Sequence, residues 1–145
     1  MKAGELMTTE PACCTPDDSI QRAAELMRSC DCGAVPVVES TDSKRLIGVV
    51  TDRDLAIRAV AENKGPETRV RDVMTKDVRC CHPDDDMETV ERIMATEQVR
   101  RVPVVDQQGC CVGMIAQADL ALNSRAASDS DVGRVVEQIS EPSHA

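Results

Sequence analysis

The chain contains no Phe, Tyr or Trp in its 145 residues. A core must therefore be built from Val, Ile, Leu, Met, Ala and Cys, and any bound base would rest on aliphatic side chains and backbone, not on an aromatic stack. Positive charge is also scarce: 17 Lys and Arg against 26 Asp and Glu leave a net charge of −9. Phosphate-backbone binding draws on clustered Lys and Arg, so no nucleic-acid partner is expected, although local positive spots could hold a small anion. Histidine occurs only at His82 and His144, neither in the setting of a catalytic triad. Nothing singles out a pair of hydrolytic carboxylates, so no catalytic residue is assigned and an enzyme is not expected. No apolar run approaches the roughly 18 residues of a membrane span, and the opening MKAGELMTTE lacks the apolar stretch of a signal peptide. No membrane association and a cytoplasmic location are expected.

What is present is a repeat. Apolar residues make up 41% of the chain, a globular composition. When the sequence is shifted by 67 residues, Met7–Val38 lies over Met74–Val105 without a gap, and 12 of the 32 positions are identical. The second half then loses two loop residues, so Gly48, Asp54 and Leu55 match Gly113, Asp119 and Leu120. Two such units must pack, because neither alone buries much surface. Each reads as strand, helix, strand, strand, helix. A short extended piece carries Cys13–Cys14 or Cys80–Cys81. Pro-Asp-Asp then starts a helix, with Asp expected as its cap. Ile20, Ala23, Ala24 and Met27 recur at helical spacing, as do Met87, Val90 and Met94. The pattern predicts strands at AVPVV (34–38), 46–50 and 112–115, with Pro36 suited to an edge. A second helix is predicted from Asp52 to about Asn63, broken by Lys64–Pro66. The boundaries are a first repeat at 5–63, a linker at 64–70, a second repeat at 71–125 and a tail at 126–145 with a short helix at 131–140. That helix carries an apolar face through Val132, Val136 and Ile139.

Two features invite a chemical reading. Gly48–Leu55 (GVVTDRDL) runs from an apolar strand straight into polar residues, and Gly113–Leu120 (GMIAQADL) repeats it in altered form. Thr51-x-x-Asp54 fits a capping box that satisfies orphan amides. It equally fits a ligand site, where helix amides favour an anion and a carboxylate one turn in accepts hydrogen bonds from a diol. The second feature is eight cysteines, at 13, 14, 30, 32, 80, 81, 110 and 111. In a reducing compartment they are not expected to form a disulfide framework. Free Cys packs as a small hydrophobe, the reading taken for Cys13, Cys14, Cys80 and Cys81, of which Cys14 and Cys81 are expected to be slow to react in the native state. Cys110 and Cys111, beside a glycine-containing loop, are expected to be more accessible. Thiol sensing and metal binding stay open through Cys80-Cys81-His82 and Cys110–Cys111. With no Cys-x-x-Cys pair, no metal ligand is assigned.

The duplicated motifs VMT (73–75) with PDD (83–85), VPVVD (102–106) and GVVTDRDL resemble those of a CBS-domain pair, or Bateman module, over roughly residues 5–125. More narrowly, TDRDLAIRAVAENKGPETRVRDVMT and VRRVPVVD resemble small bacterial stand-alone CBS proteins of the hypoxic-response type. The resemblance implies an α/β (α+β) fold of tandem repeats about a pseudo-twofold axis, with two clefts that take adenine nucleotides. It implies a regulatory binding module that requires no cofactor and takes an adenine nucleotide (AMP, ADP, ATP or a related adenosyl compound) as ligand. Thr51 would supply a hydroxyl, and Asp54 and Asp119 would grip ribose hydroxyls. By the same analogy the Asp54 cleft is lined from the second repeat near Arg71, and by Val99, Arg100 and Arg101, whose guanidinium groups suit phosphate. Cys32, Gly33 and Ala34 hold the matching place in the first repeat. Ala116 stands where Thr51 does, and nothing matches Arg53, so the two clefts are expected to be unequal. A homodimer is the expected assembly, with an unidentified effector protein. A thiol-redox or metal-responsive sensor, and a ligand-free interaction module, remain alternatives.

Overall fold

A computed structural model of the chain describes residues 1–123, so the helix expected over 131–140 lies outside the described residues. Along the chain come α1 (Ala3–Leu6), β1 (Thr8–Thr9), α2 (Ile20–Cys30), β2 (Ala34–Val38), β3 (Leu46–Thr51) and α3 (Asp52–Asp54). A π-helical segment continues α3 over Leu55–Val60, and a 3-10 turn follows at Val70–Asp72. The chain then forms α4 (Met87–Glu97), β4 (Arg101–Val105), β5 (Cys111–Ala116) and α5 (Gln117–Asn123). The repeated strand-helix-strand-strand-helix order is present. Its first extended piece is a parallel bridge in each repeat, Cys14 to Val37 and Cys81 to Val104.

The two long helices start later than Pro-Asp-Asp. Asp18 Oδ2 accepts the Thr15 N–H at 2.8 Å, and Asp85 Oδ2 accepts the His82 N–H at 2.8 Å. These carboxylates close a turn before the helix, because the residue ahead of the proline lies within their reach. The caps are Ser19, whose hydroxyl accepts the Arg22 N–H at 3.1 Å, and Asp86, which accepts the Thr89 N–H at 2.9 Å. Both helices end on a left-handed residue, Asp31 (φ 52°) and Gln98 (φ 55°). The cap is closed by the Cys32 N–H to Met27 O at 3.0 Å and the Val99 N–H to Met94 O at 3.1 Å. The helix expected to reach Asn63 stops at Val60. The Ala61 N–H to Ala56 O bond at 2.9 Å and the Lys64 N–H to Ala59 O bond at 2.9 Å both span five residues. Across Asp31, Cys30 is paired with Cys32 as a disulfide, and the other six cysteines are free, so no disulfide framework ties the chain.

The chain divides into two units. Among the described residues, one takes Met1–Glu10, Arg79–Gln107 and 112–123; the other takes Pro11–Val78 and Gln108–Cys111. In the first unit the strand order is β1-β5-β4, and β1 runs antiparallel to β5 with Thr8 opposite Met114 and Thr9 opposite Gly113. Its core joins Ala3 and Leu6 to Cys81, Met94, Ile115 and Leu120. In the second unit β2 pairs antiparallel with β3, Ala34 opposite Thr51, and Thr75 pairs with Val49 on the other side of β3. Its core gathers Cys14, Ile20, Val35, Val50, Val70 and Val73. Thr8 and Thr75 are repeat equivalents, as are Met114 and Val49. Each repeat's leading segment therefore pairs with a strand of the other repeat. The conserved-spacing glycines mark where it does so: a Cβ on Gly48 would stand 2.6 Å from Thr75 O, and one on Gly113 would press on the Met7 side chain.

Candidate functional site

Strand β3 carries its last residue, Thr51, directly into α3. The Thr51 hydroxyl accepts the Asp54 N–H at 3.0 Å, and Asp54 Oδ2 accepts the Thr51 N–H at 2.9 Å. This is the reciprocal capping box that the motif predicts. Asp54 is only 8% exposed, one of two buried charged residues among those described. Its Oδ1 lies 3.8 Å from Nε of Arg58, one turn on. Arg58 is anchored in turn, its Nη1 donating to Val73 O and Met74 O at 3.2 Å each. The result is a carboxylate held low against the junction by backbone on one side and a guanidinium on the other. Both carboxylate oxygens thus face a donor or a positive charge, as a buried polar group requires.

The amides at this junction do not form an anion cradle. The Asp52 N–H donates to Gly33 O at 2.9 Å, the Arg53 N–H to Asp52 Oδ1 at 2.8 Å, and the Asp54 N–H to Thr51. All three are occupied within the chain. The expectation of an outward-pointing amide terminus is corrected on that ground, and contact with an anion falls to side chains.

The second junction is built alike but with one part missing. Asp119 Oδ2 accepts the Ala116 N–H at 2.8 Å, the same half of the box. The Gln117 N–H donates to Arg100 O at 2.8 Å, as Asp52 does to Gly33. The other half of the box needs a hydroxyl that Ala116 lacks.

The predicted residues fall into two groups. Thr51, Arg53, Asp54, Cys32, Gly33 and Ala34 meet in one unit, where Gly33 O and the Ala34–Thr51 pair hold the turn after α2 against the β3–α3 junction. Arg53 is exposed on the first turn. Arg71 belongs to the same unit, but its Nη2 is ion-paired with Asp17. Val99, Arg100, Arg101 and Asp119 belong to the other unit, where the Arg100 backbone holds the β5–α5 junction. Sequence reasoning missed Arg58. Its signal was present, a basic residue four positions after Asp54 on one helical face.

The thiols divide by depth. Burial, reinforced by Asp18, pushes the Cys14 thiol up to about 12, and burial with Asp85 pushes Cys81 up to about 12. Both are core residues, 1% and 0% exposed. Cys111, expected to be accessible, is 4% exposed because it opens β5. Among the described residues no cluster of three or more His, Cys, Asp or Glu side chains is placed to hold a metal ion. Nor is any described helix long and apolar enough to cross a membrane.

Comparison with known proteins places these features in context. The CBS domain family matches residues 3–60 and 70–124. The CBS domain-containing protein YhcV of Bacillus subtilis is 38% identical over 136 residues, 94% of this chain and 93% of its own length. Hypoxic response protein 1 of Mycobacterium tuberculosis is 31% identical over 120 residues, 82% of each chain. Among solved structures, Hypoxic Response Protein I with two coordinated zinc ions superposes with a TM-score of 0.77 at 28% identity, over 85% of this chain and 98% of its own. CBSX2 in complex with AMP gives 0.73 at 23%, over 85% and 95%. The CBS domain pair of MJ0100 with methylthioadenosine and S-adenosylmethionine gives 0.78 at 23%, over 88% and 98%.

Proposed function

The chain belongs to the CBS domain family, and on that premise we propose that it is a regulatory module whose ligand is an adenosine-containing small molecule: AMP, ADP, ATP or a related adenosyl compound. The observation that carries this reading is the buried Asp54 carboxylate at the β3–α3 junction, with the partly buried Asp119 at the same place in β5–α5. A ribose diol offers two O–H donors to one carboxylate, and charge-assisted bonds of that kind are worth about 1.5–3 kcal/mol. In support, solved CBS structures of the same fold hold AMP in CBSX2 and methylthioadenosine with S-adenosylmethionine in MJ0100. The backbone of Cys32–Ala34 beside Thr51, in a chain without aromatics, suits a base held by aliphatic groups and main chain. Arg100 and Arg101 stay proposed phosphate contacts, and Arg53 and Arg71 are proposed here as further ones. For Arg71 that role requires exchange with the exposed Asp17.

The two junctions are proposed to be unequal, the Asp54 site filling first. Calorimetry with AMP, ADP, ATP and S-adenosylmethionine tests this. Asp54→Asn keeps an acceptor for the Thr51 N–H but loses the charge. It is expected to remove the tighter binding phase while thermal stability holds. Asp119→Ala is expected to remove at most a weaker phase, about tenfold lower in affinity. If Asp54→Asn binds all four ligands as well as the parent, Thr51-x-x-Asp54 is only a helix cap and the reading fails.

The assembly is proposed to be a homodimer in the cytoplasm, acting on an effector protein still to be identified. Ile57 is 46% exposed and Val60 74% exposed on the π-helical segment, which supports self-association. Analytical ultracentrifugation at micromolar concentration is expected to give twice the chain mass; a monomer would count against it.

A further inference from the structure

Of the two Asp54 oxygens, Oδ2 is occupied by the Thr51 N–H at 2.9 Å, which leaves Oδ1 to meet a ligand. Facing Oδ1 is the guanidinium of Arg58, with Nε at 3.8 Å. That separation is longer than a hydrogen bond. The positive charge therefore draws Oδ1 into one orientation without filling its lone pairs, and the oxygen stays able to accept from a diol.

Arg58 is not a loose surface cation. Its Nη1 donates to Val73 O and Met74 O at 3.2 Å each. Those carbonyls belong to fixed backbone. The Val73 and Met74 N–H groups donate to Val70 O at 3.0 and 2.9 Å, and Thr75 pairs with Val49. The planar guanidinium serves both sides at once, one nitrogen toward the carboxylate and another on the main chain, which suits Arg and not Lys. Arg58 also lies on the π-helical segment Leu55–Val60, a rare helix form found frequently at functional sites.

The second repeat departs at this point. Four positions after Asp119 stands Asn123, where Arg58 follows Asp54. The second junction continues as an ordinary α-helix, Gln117–Asn123. A positive charge at this spacing belongs to the first repeat alone.

We propose that Arg58 is the positioning residue of the Asp54 site: it holds the carboxylate ready for a ribose diol and so sets the preference for ligands that carry both ribose hydroxyls. It supplies a second cause, beside Ala116, for the inequality of the two sites. The proposal rests on the reading of Asp54 as a ribose-binding carboxylate. Without Arg58, Asp54 keeps its bond to Thr51 and is free to turn about it, and ordering it again opposes binding.

The test is calorimetry on the full chain with AMP and ATP, each compared with its dideoxy form lacking both ribose hydroxyls. The parent is expected to prefer the ribose form by about tenfold or more. Arg58→Asn puts the second repeat's residue into the first, and is expected to cut that preference several-fold while the dideoxy forms lose little. In an Asp54→Asn background the same substitution is expected to change nothing further, since Arg58 acts through that carboxylate. Should Arg58→Asn fail to fold, Arg58→Gln is read in the same way. A parental preference in the Arg58 variant, an equal loss for ribose and dideoxy forms, or a further loss beyond Asp54→Asn would overturn the proposal and leave the Asp54 reading standing. A parent that does not distinguish the two forms would overturn both.

Discussion

Cys14 and Cys81 are buried thiols whose protons are held far into the alkaline range, and that has a sign. In the unfolded chain each ionises near 9; in the folded chain each holds its proton to about 12. Above pH 9 the unfolded state binds fewer protons, so stability falls as pH rises. By pH 10 each thiol should cost about 1.4 kcal/mol relative to neutral pH. With no tyrosine in the chain, thiols dominate the titration in this window. Urea unfolding at pH 8 and pH 10 is expected to show the loss, and Cys14→Val to remove roughly half of the share carried by this pair. A parent equally stable at both pH values would mean these thiols are not buried as described. Ala116 is a second single-residue control point. Ala116→Thr supplies the hydroxyl missing from the second capping box, and a Thr cap is worth about 0.5–2 kcal/mol over Ala. A rise in melting temperature is expected without ligand, and a stronger second binding phase with it.

At the scale of elements, the glycines of the two motifs separate by what faces them. A Cβ on Gly48 would meet the Thr75 carbonyl oxygen at 2.6 Å, and that backbone is fixed by its pairing to Val49. At Gly113 the neighbour is the flexible Met7 thioether, which can rotate. Gly48→Ala should therefore cost about 1–3 kcal/mol, the range for overpacking, and Gly113→Ala less. Chemical denaturation of the two variants checks the order; an equal or reversed cost would show that the Thr75 strand can move aside. This pairing also explains why both motifs open on glycine, where sequence reasoning looked only at their polar ends. The helix starts were misplaced by one residue in both repeats: Ser19 and Asp86 are the caps, because Asp18 and Asp85 of Pro-Asp-Asp are taken up by the Thr15 and His82 amides.

At the scale of the whole molecule, the exchange of leading segments gives a result that the linear repeat would predict wrongly. Ala3, Leu6 and β1 complete the core and sheet of the unit built from the second repeat. Removing residues 1–10 is therefore expected to lower hydrogen-exchange protection in α4, β4 and β5 while β2 and β3 keep theirs. Loss confined to β2 and β3 would contradict the exchange. The sequence by itself determined the duplication, the order of elements, the core positions Cys14 and Cys81, and the Thr51–Asp54 box. Each rests on interactions within a few residues or on a period that a linear pattern records. Tertiary structure alone decided that Thr8 pairs with Met114 and Thr75 with Val49, that Arg71 is drawn to Asp17, and that Arg58 secures Asp54 by reaching the carbonyls of Val73 and Met74. These join residues between 15 and 106 positions apart in the chain, or depend on such joins. Local propensity carries no record of which distant strand a segment will meet, because that choice follows from burying both apolar faces at once.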